Sequence, residues 1–450
     1  SPLWQVKAGK TTINEKEERI TYRNAFFEIY GVPVLYTPYL SHATPDAKRK
    51  SGLLTPEYST DSIFGTSVKA PVYFNIAENK DLVVTPKITS DEGIILSSKY
   101  RHLLSSGQFT LGSSITNPQT RDLSSQATDF MGNQVRGHIE GKGEFAINEK
   151  VRWGFDGKRS SDDTYLQRYG FGEDDVLTSR LYSLYRNERN YGSVELISFQ
   201  GLKENDDPGT TPLILPYGKY HYEKKSNLFK NSRYLVDVNT LSLSRSDGTD
   251  SNRFSLKSAF EKSYITKYGH IFNSSMSVRA DGYYVDDVAT STDNDEYVVR
   301  AIPEANLRWS FPLAKSSLQR NLFIEPTVQL SISPNGGNPD DIPNEDGLDI
   351  EFSDENLFST NHFSGLDKVE SGTRAAYGLR GGISDNEYGN VDFLAGQIYR
   401  TKKQQDFSTN SGLQEKFSDL VGRIGYDYQN KIGAYYKIRL DQDNFTIRRN

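Results

Sequence analysis

Asn24-Ala-Phe-Phe-Glu-Ile-Tyr-Gly-Val-Pro-Val-Leu-Tyr-Thr-Pro-Tyr39, with Arg49-Lys-Ser-Gly-Leu-Leu-Thr-Pro56 close behind it, is where this chain changes character. The first stretch reads as a strand pair running into a bend punctuated by Gly31, Pro33 and Pro38. Glycine supplies backbone freedom there and proline fixes φ while removing an N–H. Before it, Trp4, Val6 and Ala8 alternate with polar residues, as do Ile20 and Tyr22, around the charged turn Asn14-Glu-Lys-Glu-Glu18. Residues 1–50 therefore read either as the last strands of a separate small β domain or as the first hairpin of the large strand-rich region beyond residue 50.

Downstream, the period is two almost everywhere. Val151, Trp153 and Phe155 alternate with Arg152, Gly154 and Asp156; Val328, Leu330 and Ile332 with Gln329, Ser331 and Ser333. Ala434, Tyr436, Ile438 and Leu440 alternate with Tyr435, Lys437, Arg439 and Asp441. Each pattern is a strand with one apolar and one polar face. Tight polar turns such as Glu78-Asn-Lys80, Asn148-Glu-Lys150 and Gln429-Asn-Lys431 join some strands. Long hydrophilic connections join others, over 117–132, 160–176, 204–211, 286–296 and 336–356. Short turns at one end and long loops at the other are the asymmetry of an outer-membrane barrel, and at roughly 10 residues per strand residues 51–450 hold about 18 strands. An open soluble sheet of that size curls or splits.

Composition fits and excludes. Only 35% of the 450 residues are hydrophobic, yet 28 Tyr and 23 Phe are present. That aromatic content argues against disorder and suits strands with one wet face. No run of about 18 apolar residues offers a transmembrane helix. The 53 basic and 59 acidic residues are interspersed, with no basic stripe for nucleic acid. With no cysteine and six scattered histidines, neither a disulfide framework nor a thiolate metal site is available. A compact Ser/His/Asp set for an outer-membrane hydrolase is not visible. No regular repeat marks a β-solenoid.

Several blocks, in a shared order, resemble the LptD family of outer-membrane lipopolysaccharide-assembly proteins. They are the opening stretch, Asp81 to Pro86, Lys99-Tyr-Arg101 with Gly107, and Asp163-Thr-Tyr-Leu-Gln-Arg-Tyr169. Phe199-Gln-Gly-Leu202 and Leu243-Ser-Arg-Ser-Asp-Gly248 come next, then Asn356-Leu-Phe358, Phe363-Ser-Gly-Leu-Asp-Lys-Val-Glu370, Arg374, Tyr377-Gly-Leu379 and Gly396-Gln-Ile-Tyr-Arg400. The resemblance implies an all-β chain: the end of a periplasmic jellyroll and hinge over 1–50, then a large antiparallel transmembrane barrel over 51–450. It also implies a fragment, lacking the signal peptide, most of the jellyroll and the closing barrel strands, since the chain stops at Ile447-Arg-Arg-Asn450.

Under that resemblance the expected function is insertion of lipopolysaccharide into the outer leaflet of the Gram-negative outer membrane. Lipid A would leave by a lateral gate while the sugars pass through the lumen. No cofactor and no enzymatic step are implied, and no nucleic-acid partner. The implied partners are lipopolysaccharide, the plug lipoprotein LptE, the periplasmic bridge protein LptA or an equivalent, and the barrel-assembly machinery. The disulfides that control maturation in relatives have no cysteines here. The alternative is a passive pore or a receptor-type barrel, which shares the barrel without the jellyroll hinge.

Particular residues carry these expectations. Pro56 and Pro71, 15 apart as in the family's gate pair, either weaken strand pairing at the gate or simply begin and end strands. Gly31, Pro33 and Pro38 form the interdomain hinge or an ordinary turn. Phe26, Phe27, Tyr30, Tyr36 and Tyr39 line a lipid exit or merely fill a core. Arg152, Lys437 and Arg439 are placed on the lumen face by alternation. The acidic pairs Asp162-Asp163 and Asp340-Asp341 and the run Glu173-Asp-Asp175 are solvated loops or cation ligands.

Overall fold

The computed structural model describes residues 4–44, 49–118, 135–286, 295–428 and 431–449. Most of the expected 117–132 and 286–296 loops, and two positions of the Gln429–Lys431 turn, lie outside the described residues. No described helix is long and apolar enough to cross a membrane.

In chain order the strands are β1 (Trp4–Asn14), β2 (Arg19–Ile29), β3 (Val32–Ala43), β4 (Gly52–Leu53), β5 (Glu57–Asp61), β6 (Gly65–Lys69), β7 (Val72–Ala77), β8 (Lys80–Thr89), β9 (Ile94–Leu104), β10 (Gly107–Thr116), β11 (Arg136–Ala146) and β12 (Val151–Ser160). After the short helix α1 (Tyr165–Tyr169) come β13 (Val176–Asn187), β14 (Asn190–Gly201), β15 (Leu213–Lys225), β16 (Ser232–Ser244), β17 (Asp250–Ile265), β18 (Ile271–Asp286), β19 (Asp295–Ser310), β20 (Leu313–Ser316) and β21 (Arg320–Ile332). The last are β22 (Arg374–Asp385), β23 (Gly389–Arg400), β24 (Leu420–Tyr428), β25 (Ile432–Leu440) and β26 (Ile447–Arg449).

β1, β2 and β3 make a three-stranded sheet of their own, and the remaining strands follow one another in the antiparallel order of a barrel. Among the described residues, strands are interrupted at prolines in three places: β4/β5 before Pro56, β6/β7 at Pro71 and β19/β20 at Pro312. Lacking an N–H, proline cannot donate to the ladder, although Pro86, Pro303 and Pro326 sit within strands that stay paired.

Two compact units are present, Ser1–Tyr185 with Glu195–Leu213, and Arg186–Val194 with Ile214–Asn450. In the first, the expected turn at Asn148 is tight: its side-chain oxygen accepts from the N–H groups of Lys150 and Val151. Trp153 and Phe155 alternate with Arg152 and Gly154, and the Phe145 and Trp153 rings stack at 4.6 Å across β11 and β12. In the second, Phe254, Met276, Val278 and Val299 stand exposed on one face of β17 to β19. Arg253, Arg279 and Arg300, which alternate with them, are buried on the other. Val299 is 80% exposed beside Arg300 at 8%. An apolar outward face over a charged inward face is the reverse of a water-soluble sheet and is what a bilayer requires.

The inward face is covered by chain. α1 and its flanks pack inside the first unit on Ile95 and Leu177. In the second unit the 333–373 connection and the 401–419 connection share a core of Phe352, Leu357, Phe363, Phe407 and Leu413 with Ala376, Ile398 and Val421 of the wall. In the 160–176 and 336–356 connections the acidic residues Asp163, Glu173 to Asp175, Asp340 and Asp341 are exposed, while Tyr165, Leu166, Tyr169, Ile342 and Phe352 are buried. Their apolar residues are spaced irregularly, so no periodicity announces that they fold inward.

Candidate functional site

The first barrel hairpin is the least regular part of the first unit. Leu53 pairs with Val72 and Glu57 with Lys69, so four steps along one strand oppose three along the other. The extra residue is a bulge beside Pro56. Across from it the Leu54 N–H donates to the Pro71 carbonyl at 2.8 Å, and the Ala70 N–H donates to the Pro86 carbonyl at 3.0 Å. Pro56 and Pro71 thus interrupt both strands of one hairpin at the same level. β4 keeps only two paired residues.

Gly31 sits with Tyr30 in the two-residue turn of the β2–β3 hairpin, at φ +83° and +50°. Two successive positive φ values define the primed turn that matches strand twist, hence glycine at 31. Pro33 lies opposite Glu28 where the register slips, and Pro38 lies within β3. The bend read from these three residues is therefore a hairpin. The chain passes from β3, which ends at Ala43, to β4 at Gly52, and Lys50 pairs back to Glu18 at 2.8 Å.

The five aromatics do not gather. Phe26 and Tyr36 pair in register with rings 5.0 Å apart, and the Tyr36 hydroxyl donates to Asn24. Phe27 and Tyr39 fall on the opposite face by alternation, and Tyr30 is at the turn. Tyr30, Tyr36 and Tyr39 are all exposed.

Arg152 pairs with Glu144 at 2.8 Å on the β11–β12 face opposite Trp153. Lys437 reaches Glu355 of the long inner loop, and Arg439 donates to the carbonyls of Ser411 and Asn410. Asp162 is held by Arg136 through two hydrogen bonds. Burial raises its carboxyl pKa, but the Arg136 bonds prevail and set it below the usual range. Asp340 and Asp341 are exposed, and Asp175 faces Lys203 at 3.1 Å. Among the described residues no group of three or more His, Asp and Glu is arranged to hold a metal.

The richest cluster combines Asp367, Glu370, Arg374 and Arg400, which lie in blocks quoted above, with wall arginines that no motif marks. Arg253 of β17 meets Asp346 at 2.9 Å and Asp367 at 2.5 Å. Arg279 and Arg300 share Asp281, at 2.8 and 2.6 Å. Arg300 also donates to the carbonyls of Gly337 and Asp367, and Arg279 and Arg300 both reach that of Leu366. Further on, Glu370 is enclosed by His362 at 2.7 Å, Arg374 at 3.2 Å and Arg400. Burial pushes the Glu370 carboxyl up, but the two guanidinium charges and His362 outweigh it and hold it far below the carboxylate range. Asp367 is raised because burial outweighs Arg253. The available signal is arginine recurring at inward positions of β17, β18 and β19.

A cavity of about 430 Å³ lies in this unit between the 360–370 stretch and the wall. It is lined by Tyr191, Tyr217, Lys219, His221, Lys257 and Glu304 among others. Tyr191 stacks on His221 at 4.8 Å, and His221 meets Asp237 at 2.6 Å. Aromatic faces, aliphatic side chains and mixed charges line it together.

Comparison with known proteins points to one family. The LPS-assembly protein LptD of Idiomarina loihiensis is 27% identical over 416 residues, covering 89% of this chain and 52% of that protein. The LptD of Vibrio cholerae is 26% identical over 465 residues, covering 99% and 57%. This chain thus spans about half the length of the curated relatives it matches. A bacterial polysaccharide outer membrane secretin aligns over 84% of this chain and 100% of its own, at 10% identity and a TM-score of 0.27. The profile of the family described as LptD, LPS transport system D, matches residues 134–450, well over half of the sequence, and the chain belongs to that family.

Proposed function

We propose that the protein containing this chain moves lipopolysaccharide to the outer leaflet of the Gram-negative outer membrane. The carrying observation is the first barrel hairpin, interrupted on both strands at Pro56 and Pro71. A paired strand edge must part for an acyl-bearing lipid to leave sideways. Missing N–H groups and a bulge lower the number of ladder bonds to be broken, each worth about 0.5–1.5 kcal/mol net. Pro56 and Pro71 are the lateral gate in this reading.

Polar sugars need a wet route, and the inward faces with Arg152, Lys437 and Arg439 and the chamber lined by Tyr217, Lys219 and Lys257 supply charge and aromatic surface for one. The β1–β3 sheet belongs to the periplasmic jellyroll, with the domain boundary near residue 50. Its exposed Tyr30, Tyr36 and Tyr39, with Phe26 and Phe27, offer contacts for acyl chains before the gate. Gly31, Pro33 and Pro38 act in the hinge by fixing the shape of the β2–β3 hairpin, whose second strand ends at Ala43. The plug lipoprotein LptE, a bridge protein such as LptA and the barrel-assembly machinery are the partners in this scheme. No bond is made or broken in the cargo.

The test is depletion of the full-length protein in its host while newly made lipopolysaccharide is tracked to the cell surface. Arrival should stop while synthesis continues, and precursor should collect inside. Normal arrival would leave a passive pore or receptor barrel as the better account.

A further inference from the structure

Gly378 of β22 and Gly396 of β23 are direct cross-strand partners on the inward face. A Cβ built on Gly396 would stand 2.4 Å from Leu357 Cδ2 and 2.5 Å from the Tyr377 carbonyl oxygen, and one on Gly378 would stand 2.9 Å from the Ala395 carbonyl oxygen, 3.0 Å from Leu357 Cδ2 and 3.2 Å from Phe358 Cζ. Leu357 is fully buried. The two missing side chains therefore form a notch in the wall, and a leucine from the 333–373 segment fills it. Neither glycine has a positive φ, so backbone conformation does not explain them. Close approach does.

Other contacts hold the same step of chain. Arg308 of β19 donates to the Phe358 carbonyl and lies 5.3 Å from that ring. Phe352, Phe363, Phe407 and Leu413 share one buried cluster with Leu357. Phe363 and Phe407 are stacked at 4.4 Å and 6°, which ties the 333–373 segment to the 401–419 segment.

We propose that Leu357 in the Gly378–Gly396 notch is the latch that fastens the 333–373 segment to the inner wall, making it a fixed lining of this unit rather than a swinging lid. A shape fit of this kind is bistable. A methyl group on the wall, or a polar atom on the latch, excludes the docked state instead of loosening it by degrees. The inference rests on the barrel reading but not on what the barrel carries.

The experiment uses the full-length protein with Leu357→Ser, reconstituted in vesicles and treated with trypsin, beside planar-bilayer conductance of the same sample. The variant should be cleaved between residues 351 and 374, where the parent resists, and its conductance should rise several-fold. Heat-modifiable migration on a gel should show the barrel still folded. Gly396→Ala attacks the notch from the other side and should give the same cleavage; should it fail to fold, Leu357→Ser decides alone. A folded Leu357→Ser protein with parental resistance and conductance overturns the latch. Neither readout involves lipopolysaccharide, so a failed latch and a failed transport reading are told apart.

Discussion

Both units fill their inward face with connecting chain, but with different chemistry. The α1 segment in the first unit is short and largely apolar where it docks: Tyr165, Leu166 and Tyr169 are buried, and Tyr165 stacks on Phe171 at 13°. Charges sit at its margins, Arg136 on Asp162 and Arg168 on Glu92. A helical turn satisfies much of its own backbone, as Arg168 N–H to Thr164 and Phe171 N–H to Leu166 show. Little is then asked of the wall.

The 333–373 segment is long and irregular. Buried backbone without regular structure leaves carbonyls that need donors. Guanidinium groups carry five N–H donors in a fixed fork. Arg279, Arg300 and Arg308 from the wall, and Arg374 at the segment's end, donate to Leu366, Gly337, Asp367, Phe358 and Thr360 carbonyls. Asp281, Asp346, Asp367 and Glu370 balance the charge. Regular inner chain docks by apolar burial, whereas irregular inner chain needs arginine donors in addition to its apolar latch.

The sharpest way to break this contrast is Glu370→Gln. It leaves Arg374 and Arg400 buried beside a neutral amide, and removing one partner of a buried ion pair costs about 3–5 kcal/mol. The expected result is early protease entry at 333–373 with the α1 segment unaffected; equal loss in both units would contradict the division of labour. Next comes Leu166→Ala, about 2–5 kcal/mol for a truncated buried leucine. It should loosen only the α1 segment, read by hydrogen exchange at residues 164–171.

Acid is the mildest probe. Asp162 and Glu370 are both held below their unfolded values, so the stability they contribute is fully present above about pH 4.3 and declines as pH falls through their folded values. Protection of both inner segments should be flat from pH 8 to about pH 5 and should fall only in stronger acid. Loss near pH 6 would mean that other groups hold them.

Much of the fold is legible in the sequence because period two is a property of the chain itself. Trp153 against Arg152 and Tyr436 against Lys437 display the two faces without any tertiary knowledge. Pro56 and Pro71 are legible for a similar reason, since a missing N–H is local chemistry. Gly31, Pro33 and Pro38 read as turn residues and are found in a hairpin; the composition of a turn does not say which elements it joins. The inner segments are invisible at that level. Phe352, Leu357, Phe363 and Phe407 obey no period, and the wall that buries them is assembled from strands far away in sequence. Gly378 and Gly396 carry meaning only once register places them side by side.

Substrate contact at the interrupted hairpin is the claim that most needs a direct measurement. A photo-reactive residue is placed at Thr55, beside Pro56, and separately at Tyr264, exposed on the outer face of β17 at its short-turn end, in full-length protein in cells making lipopolysaccharide. Crosslinks to lipopolysaccharide should form at position 55 and be scarce at 264. Equal yields, or yield at 264 alone, would contradict the assignment of the exit to the proline-broken hairpin.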